Sequence, residues 1–153
     1  MTQLDILQAI VARLQSIRVA SGYATDAGLH VALGDEWPDE AALPAITVHE
    51  GEMTANGYGL VRSQGRAGAT GTKMRGEYTV EGIADCTGTA TYAAAHALIA
   101  DIKRALFSAG GLSFGDAAGD HKLEGHGVLP RVRGSNRVAV AVVGSYFYID
   151  QFA

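Results

Sequence analysis

The chain has 153 residues, of which 48% are hydrophobic and 18% charged, and a formal net charge of −4. That length suits one domain spanning 1–153, able to bury about 70% of the surface its unfolded chain exposes, and the composition is that of a globular protein. No apolar run approaches the roughly 18 to 20 residues that cross a bilayer. The first residues lack the basic-then-apolar layout of a signal peptide, so a soluble protein that begins in the cytoplasm, with no membrane partner, is expected.

The opening MTQLDILQAIVARLQSI (1–17) predicts an amphipathic helix: Leu4, Leu7, Val11 and Leu14 recur at three- and four-residue steps, and Ile10 and Ile17 widen the stripe. Thr2 is placed to cap it, with Asp5 three residues on. ASGYATDAG (20–28) is turn chemistry that redirects the chain. LHVALG (29–34) predicts a short strand with Leu29, Val31 and Leu33 on one face. DEWPDEAALP (35–44) reads as an acidic loop broken by Pro38 and Pro44, in which Trp37 is a core-edge anchor or a partner contact. AITVHEG (45–51) alternates Ile46 and Val48 inward with Thr47 and His49 outward, a strand.

GYGLVRSQGRAGATGTKMRG (57–76) follows, with six glycines, four basic side chains and no acidic one. Residues 1–56 carry eight acidic and two basic side chains, so an acidic body bears one basic loop. EYTVEGIADC (77–86) resumes a strand with Tyr78, Val80, Ala84 and Cys86 on one face, which makes the basic segment a long hairpin excursion. TATYAAAHALIADIKRALFSAGG (89–111) predicts a second helix: Tyr92, Ala95, Ile99, Ile102 and Leu106 keep helical spacing. Lys103 and Arg104 sit in its last turn, and Gly110 and Gly111 stop it. Residues 112–134 read as irregular, with one weak strand around 122–127. VAVAVVGSYFYI (138–149) starts apolar on both faces, the pattern of a central strand. The fold class predicted is α+β: a largely antiparallel β-sheet with two helices packed on one face and a long glycine-rich hairpin loop.

The chemistry-bearing residues form no recognised constellation. Gly68, Gly71 and Lys73 have the wrong spacing for a phosphate-binding loop, and a strand rather than a helix follows them. Asp116, Asp120, His121, Glu124 and His126 crowd one glycine-rich segment, where a solvated loop competes with a metal site. His30, His49 and His96 read as surface or boundary residues, and Cys86, the single cysteine, as a small core residue. No GxSxG nucleophile elbow occurs. These residues give no catalytic site, and neither a cofactor nor a metal is implied. A small nucleotide- or metal-binding enzyme subunit using the glycine-rich loop stays open as an alternative of a different class.

The succession ILQAIVARLQSI, GYATDAGLHVALG, an acidic loop, LPAITVHEG, a loose glycine-rich loop, ADCTGTATYAAAHALIADIKRALF and RVAVAVVGSYFYI resembles the tail terminator (tail completion) proteins of long-tailed bacteriophages and related gene-transfer particles. The resemblance covers nearly the whole chain and rests on element order and turn residues. It implies a structural virion protein, assembled in the bacterial host cytoplasm, that forms a hexameric ring on the last ring of the tail tube. Such a ring stops tube growth and faces the head-side connector; another neck component, a head-completion or stopper protein, is the nearest alternative. The family's long mobile loop corresponds here to about residues 53–75.

A flexible twenty-residue chain spans about 25 Å between its ends, enough to reach a neighbouring subunit or the tube. Glycine-rich chain loses much entropy on ordering, so disorder in the free monomer is expected. Arg62, Arg66, Lys73 and Arg75 are then expected to face protein: a neighbour's acidic patch at Asp35, Glu36, Asp39 and Glu40, or the end of the tube. DNA must pass through the ring without specific binding, and a ring of unpaired cations would hold its phosphates. A solvated loop without contacts is the remaining alternative.

Overall fold

The computed structural model describes residues 2–34, 42–61, 71–87, 90–108, 112–114, 118–130 and 134–151. Helix α1 (Gln3–Leu14) starts at a capping box, in which Thr2 Oγ1 accepts from the Asp5 N–H and the Asp5 carboxylate accepts from the Thr2 N–H at 2.7 Å. Its buried residues are Ile6, Leu7, Ile10 and Leu14, continued beyond the helix by Ile17. The stripe is turned from the expected one: Leu4 is exposed and Val11 only half-buried. Ile6, Ile10 and Leu14 form a four-residue row that puts two branched side chains and a leucine side by side, and this row wins the core.

Strand β1 (Val31–Leu33) runs parallel to β2 (Ala45–Val61), which pairs antiparallel with β3 (Gly71–Asp85). Helix α2 (Thr91–Phe107) then crosses to β4 (Ala118–Val128), and β5 (Arg137–Gln151) inserts antiparallel between β3 and β4. The result is one sheet of order β1-β2-β3-β5-β4 with both helices on one face, an α+β layer fold. In β5 the even-numbered Val138, Val140, Val142, Tyr146 and Tyr148 enter the core, together with Tyr78 and Val80 of β3 and Leu98, Ile102 and Leu106 of α2.

Two expectations about loops need correction. The glycine-rich segment is strand at both ends: Leu60 pairs with Thr72 and Val61 with Gly71, so only residues 62–70, outside the described set, join the strands. The reason lies in β5, whose ladder against β3 runs without a break from Asp85↔Arg137 to Gly71↔Gln151 and draws Lys73, Arg75 and Gly76 into the sheet. Tertiary pairing overrides weak local strand preference here. The weak strand is likewise longer than expected, running from Ala118 to Val128, with register shifts between Gly119 and Lys122 and between Leu123 and Gly125. Asp120 adopts a φ of 55° within it.

The contact between β3 and β5 depends on two reciprocal crossings. Gly76 faces Tyr146 and Tyr78 faces Gly144 in the register, and each tyrosine ring lies across the opposing glycine. A Cβ on Gly76 would stand 2.7 Å from Tyr146 Cζ, and one on Gly144 would collide with the Tyr78 hydroxyl. One turn of strand further on, Gly82 leaves room for Leu98, whose Cδ2 would stand 2.7 Å from an added Cβ, and so lets α2 lie close on the sheet.

The helical layer is tied to the turn that follows α1 by charged groups. Asp101 of α2, 4% exposed, accepts from the Ala24 N–H at 3.0 Å and from the Thr25 N–H and hydroxyl at 2.8 and 2.7 Å. Arg104, in the last turn of α2 as expected, also donates to the Gly22 carbonyl at 2.6 Å and lies over the Tyr23 ring. Arg13 Nε reaches the Ala105 carbonyl at 2.8 Å and joins the two helices.

Replacing Gly144 with Ala should destabilise the protein by about 1–3 kcal/mol through overpacking. Gly119→Ala, where an added Cβ meets nothing within 4 Å, should stay within about 0.5 kcal/mol of wild type. Urea unfolding midpoints of the two variants check this. Asp101→Ala removes the acceptor of three hydrogen bonds and should cost about 3 kcal/mol, with amide exchange at Ala24 and Thr25 rising well beyond the global change.

Candidate interaction surfaces

The sheet has a second face, away from the helices. Its rows follow from the register: Ile83 opposite Ala139, Glu81 opposite Ala141 and Gly127, and Thr79 opposite Val143 and Gly125. A solvent-facing antiparallel sheet alternates apolar-in with polar-out. β3 obeys except at Ile83, showing Lys73, Arg75, Glu77, Thr79, Glu81 and Asp85 on this side. β5 does not: between the exposed Arg137 and Gln151 at its ends, Ala139, Ala141, Val143, Phe147 and Ile149 face outward half-buried, and Ser145 interrupts them. Thr47, which shares the row of Glu81, is fully buried, and its hydroxyl has no hydrogen-bond partner among the described residues.

A charged network crosses this strip at Ser145, where Arg75 on β3 reaches Glu124 on β4 over β5. Arg75 donates from Nη1 to Glu77 Oε1 at 2.7 Å and from Nη2 to Glu124 Oε1 at 2.9 Å. The same Glu124 oxygen accepts from the Ser145 hydroxyl at 2.5 Å, with Lys122 Nζ at 3.8 Å. The Ser145 hydrogen bond first, and Arg75 second, hold the Glu124 carboxyl below its ordinary range. His49 Nε2 stands 3.5 Å from Glu81 Oε2.

Of the residues expected to form the interface, Lys73 and Arg75 are therefore strand residues. Lys73 Nζ lies 4.6 Å over the Phe147 ring, and Arg75 is held by two carboxylates of its own chain. Arg62, Arg66, Asp35, Glu36, Asp39 and Glu40 lie outside the described residues, as does Trp37.

The residues considered as metal ligands are dispersed. His121 turns inward, where its ring stacks on Phe107 at 4.8 Å between centroids, meets the edge of Phe114 at 5.2 Å, and shares a 2.5 Å hydrogen bond with the Tyr78 hydroxyl. Glu124 turns to the opposite face, Asp120 and His126 are exposed, and Asp116 is outside the described residues. Among the described residues no three His, Cys, Asp or Glu side chains gather as a metal site would require. Cys86 is buried, with its Sγ donating to the Asn136 carbonyl at 3.1 Å.

Burial pushes the His121 pKa down, against a hydrogen bond to the Leu112 backbone that raises it. Burial also raises the Tyr78 phenol, and it pushes Tyr146 up to about 12, helped by Tyr148 and Glu50. The Tyr146 hydroxyl, buried beside Gly76, has no hydrogen-bond partner among the described residues. Neither His121 nor Asp101 announces its burial in the sequence. His121 stands in a polar, glycine-rich run that reads as a solvated loop, and Asp101 stands near Lys103 and Arg104 as a surface residue would.

Two clefts flank the N-terminal half of α2. One, of about 450 Å³, lies between Ala94 and Ala97 of the helix and Val19, Leu29, Leu43 and Pro44. The other, of about 490 Å³, is lined by Thr91, Tyr92, Val128, Leu129, Pro130 and Val138. Tyr92 between them is 68% exposed. No protein-family model matches the chain, and no curated protein matches it significantly.

Because folding holds His121 below its ordinary value of 6.5, the unfolded chain takes up that proton first. Stability is then complete above 6.5 and declines as pH falls through it. Glu124, lowered from 4.5, adds a second decline as pH falls below that value. His121→Gln should remove the dependence between 6.5 and 4.5 and leave the lower limb, read as urea midpoints across pH.

Proposed function

We propose that this chain is a structural protein of the tail terminator type, acting through self-association into a ring that caps a tail tube and meets the head-side connector. The observation that carries this reading is the β2–β3 ribbon. Its ladder continues to Val61↔Gly71 at one end of the sheet, where β3 is also paired with β5, and the sequence sets Arg62 and Arg66 in the segment between those strands, outside the described residues. A glycine-rich segment between two strands suits contact with a neighbour, because ordering it in isolation costs entropy and gains little burial.

Support also comes from the two-layer fold, whose element order matches the one read from the sequence, and from the apolar stretch Ala139–Val143 on the outer sheet face, bounded at Ser145 by the Arg75 and Glu124 charges. An apolar patch beside charged groups is a common anatomy of a protein interface. The cationic residues of the reading are Arg62, Arg66 and Lys73; Arg75 already has carboxylate partners within the chain.

Mixed with isolated tail tubes, the protein should yield capped tubes and a species of about 95 kDa, six copies of the 15.9 kDa chain, by native mass measurement. Replacing Arg62, Arg66 and Lys73 with Ser should lower tube capping at least tenfold while leaving the urea midpoint unchanged. Capping at wild-type levels by that variant would remove these cations from the mechanism.

A further inference from the structure

We infer that the face of the sheet away from the helices receives the outer surface of helix α2 from a second copy of this chain, so that the ring grows by helix-on-sheet contacts. The inference deepens the ring reading and rests on it.

Three observations carry it. First, the outward row of β5 is apolar where a solvated strand should be polar: Ala139, Ala141 and Val143 stand beside Ile83 on β3 and Gly125 and Gly127 on β4. Small side chains make this part of the face shallow, and Cβ atoms at Gly125 or Gly127 would meet nothing within 4 Å. A helix can therefore come close.

Second, α2 has an outer surface of the matching kind. Tyr92, Ala93, His96 and Ala100 are exposed and Ala97 is half-buried, so the chain shows neighbours an alanine surface where an outer helix face would ordinarily carry charge. Tyr92 stacks on His96, which leaves a broad ring at one end of that surface. Tyr92 to Ala100 covers about 12 Å at the helical rise. Ala139 to Val143 covers about 13 Å at the strand rise. The two surfaces match in length as well as in texture.

Third, the footprint is that of one helix: the patch of Ile83, Ala139, Ala141, Val143, Gly125 and Gly127 runs about 13 Å along β5 and about 10 Å across the three strands, the width of one helix. It is one part of a subunit interface, which at standard size buries about 800 Å² per partner. A contact using two different surfaces of one chain is heterologous, and such contacts close into rings when the rotation permits. The charged groups beside the patch, Arg75 with Glu77 and Glu124 at its Ser145 end and His49 with Glu81 on the β2 side, then form the rim.

Two variants and one crosslink test this. Ala141→Lys places a cation opposite Glu81 on the sheet face. Ala100→Glu charges the exposed side of α2. Both should keep wild-type circular dichroism and thermal midpoint, and each should abolish the ring in solution and on isolated tubes. In an otherwise wild-type chain carrying Ala100→Cys and Ala141→Cys, a short bismaleimide should give a ladder of covalent multimers up to six. Neither single cysteine variant should pass the monomer. Assembly of both charged variants at wild-type levels would overturn the inference and leave the ring reading standing. So would self-crosslinking of Ala141→Cys together with normal assembly of Ala100→Glu, which would mean sheet against sheet. A wild-type chain that neither assembles nor caps tubes would remove the ring reading and this inference with it.

Discussion

The fold is organised around two tyrosines that each lie across a glycine on the neighbouring strand. Tyr78 on β3 covers Gly144 on β5, and Tyr146 on β5 covers Gly76 on β3. This fixes register in a way that apolar alternation alone does not. A slip of two residues would keep every side chain on its own face, yet it would set tyrosine against a residue with a Cβ. The core then builds on that register. His121 closes over Tyr78, Phe114 packs edge-on against both His121 and Tyr146, and Phe107 from the end of α2 completes the aromatic group. Further along β3, Gly82 admits Leu98 and sets the height of α2 above the sheet.

That height decides what the other layer can do. With α2 close on the sheet, Asp101 reaches back to the turn after α1, and Arg104 lies against Tyr23. The polar groups of α2 are spent on its flank, and alanines are left on the side away from the core. The opposite face of the sheet, freed from the helices, carries an apolar stretch on β5 that ends where Arg75 and Glu124 meet over Ser145. Each layer thus has an inner surface committed to the core and an outer surface less polar than water contact requires.

Much of the fold was legible in the sequence, because α1, β2, β3 and β5 announce themselves by period. Thr2 and Asp5 gave the start of α1, and the two-faced apolar run of β5 gave an interior strand. What periodicity could not supply was partnership. Lys73, Arg75 and Gly76 have weak strand preference alone, and they become strand because β5 runs beside them to its end. Ala118–Val128 reads as irregular for the same reason: its glycines and bulges make sense only against β5. The candidate interface was legible in part. The basic run 57–76 is obvious as composition, but that Arg75 would be satisfied by Glu124, forty-nine residues away, follows from the topology of β4. The outward apolar row of β5 was visible as letters, and its meaning appeared only once the helices were seen to occupy the other side.

The outermost strand, β4, has a consequence of its own. An uninterrupted free edge offers a row of unpaired amides and carbonyls to any passing chain and invites open-ended stacking. Here the row is broken twice by inserted residues and bent by the left-handed backbone of Asp120. Crowded copies made together in one cell would find no straight template along that margin. At that margin strand addition is disfavoured, and contact is left to side chains.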